Sequence, residues 1–290
     1  MNRNEIKVGD RVSSKSYGVF TCIEEKKKTG HCVIRFDTGY TNEVLTSDAI
    51  KGKVKDPLYP SVSGVGFIGS GEYISHLSLN KPTSEYTAWL NMLKRCYYAS
   101  DGNRLKGCRS YDNVLVCEQW LNFQEFAAWY SPRREVFDKH GIIRPALDKD
   151  ILMVSGKQKV YSADTCCLVP VEINCAVIGI ENNQTGILKQ NAGYYTRFRG
   201  KRIPGVFETI EETIAVRKAV KQDYLISLAT KYQEVIEPRV YDKLCSWFEV
   251  DLKSHLPNVY LEHHLLQCLK VESTTDSLPP LHKYKQVFVH

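Results

Sequence analysis

Between Gln184 and Phe207 the chain carries five cations, Lys189, Arg197, Arg199, Lys201 and Arg202, and no aspartate or glutamate. Tyr194, Tyr195 and Phe198 lie among them. Cations interleaved with aromatic rings suit a polyanion: arginine on a strand can donate two hydrogen bonds to a guanine edge, and lysine mainly neutralises phosphate. In an extended strand Tyr195, Arg197 and Arg199 fall on one face, and Thr196 and Phe198 on the other. This pattern assigns Lys189, Tyr195, Arg197, Arg199, Lys201 and Arg202 to contact with double-stranded DNA, with Phe198 packed beneath. The same residues also read as a solvated basic hairpin. Two weaker signals accompany them. Lys26, Lys27 and Lys28 form a charge run at a turn, suited to phosphate or simply to water. His264 and Cys268 are four apart on one helical face, near His255 and His263, but a single close pair falls short of a four-ligand zinc site.

The composition sets bounds on function. The 290 residues include 39 Lys and Arg against 33 Asp and Glu, a net charge of +6, with 43% hydrophobic and 11% aromatic residues. That size suggests two domains at about 150 residues each, and the apolar content excludes a wholly disordered or collagen-like chain. No apolar run approaches the roughly 20 residues of a membrane span, so no membrane partner is expected. The start, MNRNEIKVGD, lacks the apolar stretch of a secretory signal. The ten cysteines contain no Cys-x-x-Cys pair, so they read as reduced core thiols in a cytoplasmic protein.

The expected fold class is α+β. Over residues 1–56, short strands broken by Gly18, Gly30 and Gly39 predict consecutive hairpins closed into a small β-barrel. Residues 57–83, with Pro57, Pro60, Gly64, Gly66, Gly69 and Gly71, predict an extended connection made less floppy by its apolar residues. Two amphipathic helices follow. One starts at Ser84 as N-cap and carries Tyr86, Trp89, Leu90, Leu93 and Tyr97; the other carries Trp120, Phe123, Phe126, Ala127 and Tyr130. Residues 146–174 predict a strand, a glycine turn, a short strand or turn, and a helix starting at Ser162. Residues 184–235 predict three strands and a helix opened by the capping box Thr209-x-x-Glu212, with Ile214, Ala215, Val220, Tyr224, Leu228 and Tyr232 on its packed face. A helix near Arg239–Phe248 and an irregular tail complete residues 236–290.

The first 56 residues loosely resemble a Tudor- or KOW-type SH3-like barrel. A more specific likeness rests on ordered blocks: Tyr86-x-x-Trp89-x-x-Met92-Leu93-x-Arg95-Cys96-Tyr97, then Val116-Cys117-x-x-Trp120-x-x-Phe123-x-x-Phe126-x-x-Trp129, then Leu147-Asp148-Lys149-Asp150, then Tyr161-Ser162-x-x-Thr165-Cys166-x-x-Val169-Pro170-x-x-x-Asn174. Residues 84–178 on these blocks resemble the HNH-like proteins of tailed bacteriophages. Gly193-Tyr194-Tyr195-x-x-Phe198 and Gly205-x-Phe207-x-Thr209-x-Glu211-Glu212 resemble the APETALA-type DNA-binding domain that often follows such a core. The resemblance implies a ββα core around one divalent metal, in which a histidine ending the first strand activates water against a phosphodiester. It also implies a phage protein acting in the cytoplasm or nucleoid of a host cell.

Lys149 stands where that histidine is expected. A lysine at its ordinary pKa of about 10.4 is a cation at neutral pH and accepts no proton, though it can hold a phosphate. The resemblance makes Asp148, Asp150 and Asn174 the candidate ligands of Mg²⁺ or Mn²⁺ and the remaining catalytic candidates, with His140 as a substitute base. Those three residues equally suit turn and helix caps. The leading expectation is a double-stranded DNA-binding protein with degenerate or absent cleavage. The alternatives are an active metal-dependent endonuclease of the homing type and a phage protein that binds a host protein complex.

Overall fold

Alternating apolar and polar residues build the first sheet. The computed structural model describes residues 5–97, 113–153, 157–182 and 186–248. The chain is mixed α+β and divides into two units: Met1–Asn174 with Glu234–Val240, and Cys175–Gln233 with Tyr241–His290. In the first unit, β1 (Arg11–Ser13), β2 (Val19–Lys26), β3 (His31–Phe36) and β4 (Thr41–Leu45) form an antiparallel meander in the order β1-β2-β3-β4. The two-residue period buries Phe20 and Cys22 from β2 against Cys32, Ile34 and Phe36 from β3.

The expected barrel does not close. After the short helix α1 (Thr46–Ile50) the chain returns beside the end of β1 as irregular backbone, held where Lys15 N–H donates to the Gly52 carbonyl (3.0 Å) and the Ser14 hydroxyl to the Val54 carbonyl (2.9 Å). No further strand pairs with β1 among the described residues, and the sheet keeps the open order β1-β2-β3-β4. At the β2–β3 turn, Lys26 pairs with Glu43 (2.6 Å) and Lys27 with Glu25 (3.6 Å), so local carboxylates already answer two of the three lysines of that run.

Residues 57–83 are fixed against the helices that follow. Phe67 N–H donates to the Leu121 carbonyl and Phe123 N–H to the Phe67 carbonyl, each at 2.9 Å. The Gln124 amide donates to the Ile68 and Tyr73 carbonyls and accepts the Tyr73 N–H. Gly66 is required by close approach: a Cβ there would lie 2.4 Å from Leu93 Cδ1 and 2.9 Å from the Trp89 ring. The hairpin β5 (His76–Ser78) and β6 (Lys81–Pro82) leads into α2 (Ser84–Cys96). The N-cap is Thr83, one residue before the expected Ser84, because the Thr83 hydroxyl accepts the Tyr86 N–H. A 3-10 turn (Glu118–Leu121) and α3 (Phe123–Lys139), capped by Asn122, complete an aromatic core. Trp89 is fully buried 5.5 Å from Phe123, and its indole N–H donates to the Trp120 carbonyl (2.7 Å).

Four short strands then frame residues 113–177. β7 (Leu115–Val116) runs parallel to β9 (Val160–Tyr161), and β8 (Ala146–Asp148) runs antiparallel to β10 (Cys167–Val169), which is followed by α4 (Val171–Val177). The helix expected at Ser162 is absent. Ser162 and Thr165 close a turn through reciprocal side-chain bonds, and helical geometry begins only after Pro170. Arg239 seals that turn by donating to the carbonyls of Ala163, Asp164 and Cys166. The eight cysteines among the described residues are free thiols. Burial pushes the Cys166 thiol up to about 12, as inert core packing requires.

In the second unit, β11 (Ile187–Gln190), β12 (Gly193–Phe198) and β13 (Lys201–Arg202) make an antiparallel sheet in that order. α5 (Ile210–Lys231) follows with both halves of the Thr209–Glu212 capping box formed. Its buried face differs from the expected stripe: Val216, Ala219, Leu225, Leu228 and Ala229 are buried together with Arg217, Lys221 and Gln222. The last helix, α6 (Pro238–Cys245), begins in the first unit and ends in the second.

Lys221 is 2% exposed and donates to the Ile180 and Asn182 carbonyls, which help to offset the cost of burying its ammonium. Burial first, and then the neighbouring charges of Arg217 and Lys218, bring its pKa from 10.5 down to about 8. Between these two values the unfolded chain binds the proton and the folded one does not. Stability relative to Lys221→Met is therefore expected to rise as pH climbs from about 8 toward 10.5, by at most on the order of 3 kcal/mol, read from denaturant melts of both proteins across that range.

Candidate nucleic-acid interface

The strand register sorts the basic residues. Directly opposed residues share a sheet face, so Thr196 with Ile187 and Ile203 points toward α5, while Tyr195, Arg197, Arg202 and Gln190 point away from it. Thr196 is fully buried, and Ile203, Phe207 and Val216 pack with Phe198 into a small core. Arg217 reaches from α5 under the sheet and donates to the Thr196 hydroxyl (2.9 Å) and to the Arg197 carbonyl. Gly193 sits at φ +137°, where a Cβ would lie 2.3 Å from the Phe207 carbonyl oxygen; glycine there lets Tyr194 and Phe207 exchange backbone hydrogen bonds.

On the outer face Arg197 and Arg202 are cross-strand partners. The Arg202 guanidinium lies 4.2 Å over the Tyr195 ring and donates to the Gln190 side-chain oxygen (3.2 Å), which holds it extended along the sheet. Arg197 is exposed beside it. Like charges directly opposite destabilise a sheet, and neither arginine has a carboxylate to relieve this among the described residues.

Arg199 departs from the expected face. β12 ends at Phe198, and Arg199 lies in the following turn at φ +50°, which breaks the alternation. Its guanidinium stacks 4.5 Å over Tyr224 of α5 and hydrogen-bonds the phenol, on the helix side. Lys189 and Lys201 oppose Tyr194 and Phe198 on the two edge strands, so they alternate toward the helix side as well, though both are exposed. The structure thus brings together Tyr195, Arg197 and Arg202 on the outer face and leaves Lys189, Arg199 and Lys201 on the helix side. Sequence reasoning missed Gln190 and Tyr224. Gln190 was legible as the outward neighbour ending β11, whereas Tyr224 needed the turn conformation of Arg199.

The candidate metal and catalytic residues are also placed. Asp148 is 7% exposed at the end of β8, and its Oδ1 accepts the Asp150 and Ile151 N–H groups, both at 2.8 Å. Burial raises its pKa, opposed by those two hydrogen bonds. Lys149 is 6% exposed, 2.7 Å from Asp150 Oδ2 and 5.8 Å from the centre of the Tyr161 ring. Lys159 holds Asp150 Oδ1 at 3.0 Å. Burial works to raise the Asp150 pKa, but the two ammonium groups outweigh it and hold the carboxyl below its ordinary value. Asn174 lies within α4, its N–H bonded to the Pro170 carbonyl. His140 caps α3, with Nδ1 on the Val136 carbonyl and Nε2 3.6 Å from Glu234, so both nitrogens face partners other than Asp148 and Asp150.

This donor set does not fit Mg²⁺ or Mn²⁺. A hard divalent cation needs several free anionic oxygens, whereas both oxygens of Asp150 are taken by ammonium groups and one oxygen of Asp148 is tied to two backbone donors. His264 and Cys268 lie outside the described residues. Comparison with known proteins found no matching family model, no similar curated protein and no similar solved structure.

Proposed function

We propose that the chain binds double-stranded DNA through the outer face of the β11–β13 sheet, in a phage protein whose HNH-like region supports binding without cleavage. The observation that carries this reading is the cross-strand pair Arg197–Arg202, exposed beside Tyr195 with no carboxylate among the described residues to offset it. Such a pair is unfavourable in the free protein and becomes favourable against phosphates and guanine edges. The three-stranded sheet backed by α5 supports the APETALA-type likeness, and β8, β10 and α4 in ββα order support the HNH-like one.

Lys149 argues for binding over cleavage. An ammonium 2.7 Å from Asp150 is a cation at the place where a proton acceptor would have to stand. The protein is expected to leave supercoiled plasmid intact with Mg²⁺ or Mn²⁺ while retaining duplex in gel shifts. Binding should weaken steeply with salt, by about 0.9 in log–log slope for each phosphate contact. Nicking of the plasmid, or no complex at low ionic strength, overturns the respective half of the proposal.

A further inference from the structure

A second cationic site lies on the other part of α5. A cleft of about 460 Å³ is lined by Lys218 of α5 and by Lys243, Ser246, Trp247 and Phe248 at the end of α6 and just beyond it. The segment is fastened by one buried side chain. Gln222 donates to the Leu244 and Cys245 carbonyls, each at 2.9 Å, and accepts the Phe248 N–H at 2.8 Å. The segment that lines the cleft is therefore fastened to α5.

The lining is one-sided in its chemistry. Lys218 and Lys243 are half-buried, and neither pairs with a carboxylate among the described residues. The Lys243 ammonium sits 5.3 Å from the centre of the Trp247 ring. The Trp247 indole N–H is buried and has no acceptor among the described residues. Buried Arg217 and Lys221 add positive charge within the same turn of α5 as Lys218, and Lys221 lies 5.8 Å from the centre of the Phe248 ring. Two ammonium groups and a hydroxyl offer donors in excess, and the two rings offer an apolar surface.

We propose that this cleft binds the phosphate of a nucleotide, with the oxyanion on Lys218 and Lys243 and the base against Trp247 and Phe248. A phosphate supplies the acceptors the lining lacks. An aromatic platform beside paired cations is the arrangement that takes a base and its phosphate together. The site is distinct from the outer face of the sheet and stands or falls independently of it.

The test uses the full chain and follows tryptophan emission during titration with inorganic phosphate and with deoxyadenosine 5′-monophosphate. Trp247→Phe assigns the signal; calorimetry on the same proteins reads binding should that variant fold poorly. We expect saturable binding of both probes, about 10-fold tighter for the nucleotide because its base stacks. Lys218→Ala with Lys243→Ala should weaken both by about 10-fold or more without moving the melting temperature, and Arg197→Ala with Arg202→Ala should leave them unchanged. Absence of saturable binding, or equal binding by the lysine variant, overturns the site. Phosphate binding with no gain from the base overturns the nucleotide assignment. Weaker duplex binding by the lysine variant would identify the phosphate as part of a DNA strand; unchanged duplex binding would identify a free nucleotide. Both of those outcomes require the site.

Discussion

Arg197→Ala combined with Arg202→Ala is expected to weaken duplex binding by roughly 100-fold at moderate salt, taking about 1–3 kcal/mol for each arginine contact. The log–log salt slope should fall by about two, one unit for each charge removed. The same change should not greatly destabilise the second unit. It removes two like charges that oppose each other across β12 and β13, a relief of about 0.2–1 kcal/mol, against the loss of the Arg202 contacts to Tyr195 and Gln190, so stability should stay within about 1 kcal/mol of the parent or rise. Fluorescence anisotropy at several salt concentrations, with denaturant melts of both proteins, gives both numbers. Loss of affinity together with a gain in stability marks residues retained for a partner and not for the fold. If affinity is unchanged, the outer face is not the contact surface. If stability falls sharply, the arginines are structural.

Trp89→Ala is expected to destabilise the first unit by about 4–6 kcal/mol. Truncating a fully buried aromatic removes about 3–5 kcal/mol. A further 1 kcal/mol or so comes from the Trp120 carbonyl, which loses the indole N–H at 2.7 Å. A loss of that size rivals the whole stability of many domains, about 5–15 kcal/mol, so the unit should be largely unfolded near body temperature. Trp89→Phe keeps much of the ring contact with Phe123 and loses the hydrogen bond, so it should cost about 1–3 kcal/mol. Denaturant titration with tryptophan fluorescence distinguishes the two. Equal effects of Ala and Phe would mean that the hydrogen bond, and not ring packing, fixes this core.

Local signals carried much of the architecture. Glycine punctuation located β2 and β3, two-residue alternation located β12, and helical spacing of aromatic residues located α2 and α3, the last two patterns being a direct imprint of one buried face. The capping box at Thr209 was legible because all its bonds lie within one turn. The departures have long-range causes. Strand alternation carried past Phe198 puts Arg199 on the wrong face, since a positive φ in the turn reverses it and Tyr224, 25 residues away, receives the guanidinium. The face of α5 differs from the expected stripe because Arg217, Lys221 and Gln222 are polar yet buried, each donating to a carbonyl or hydroxyl of a distant segment. Ser162 has the residue type of a helix cap, but Arg239, more than 70 residues later, holds that turn.

That last contact bears on how the chain is made. Residues 163–166 gain their guanidinium only 73 residues after Cys166 has been synthesised, because the segment Glu234–Val240 belongs to the first unit while Cys175–Gln233 belongs to the second. At about 5–20 residues per second of translation, this leaves roughly 4–15 s in which the nascent first unit stands on the ribosome with three carbonyls unsealed.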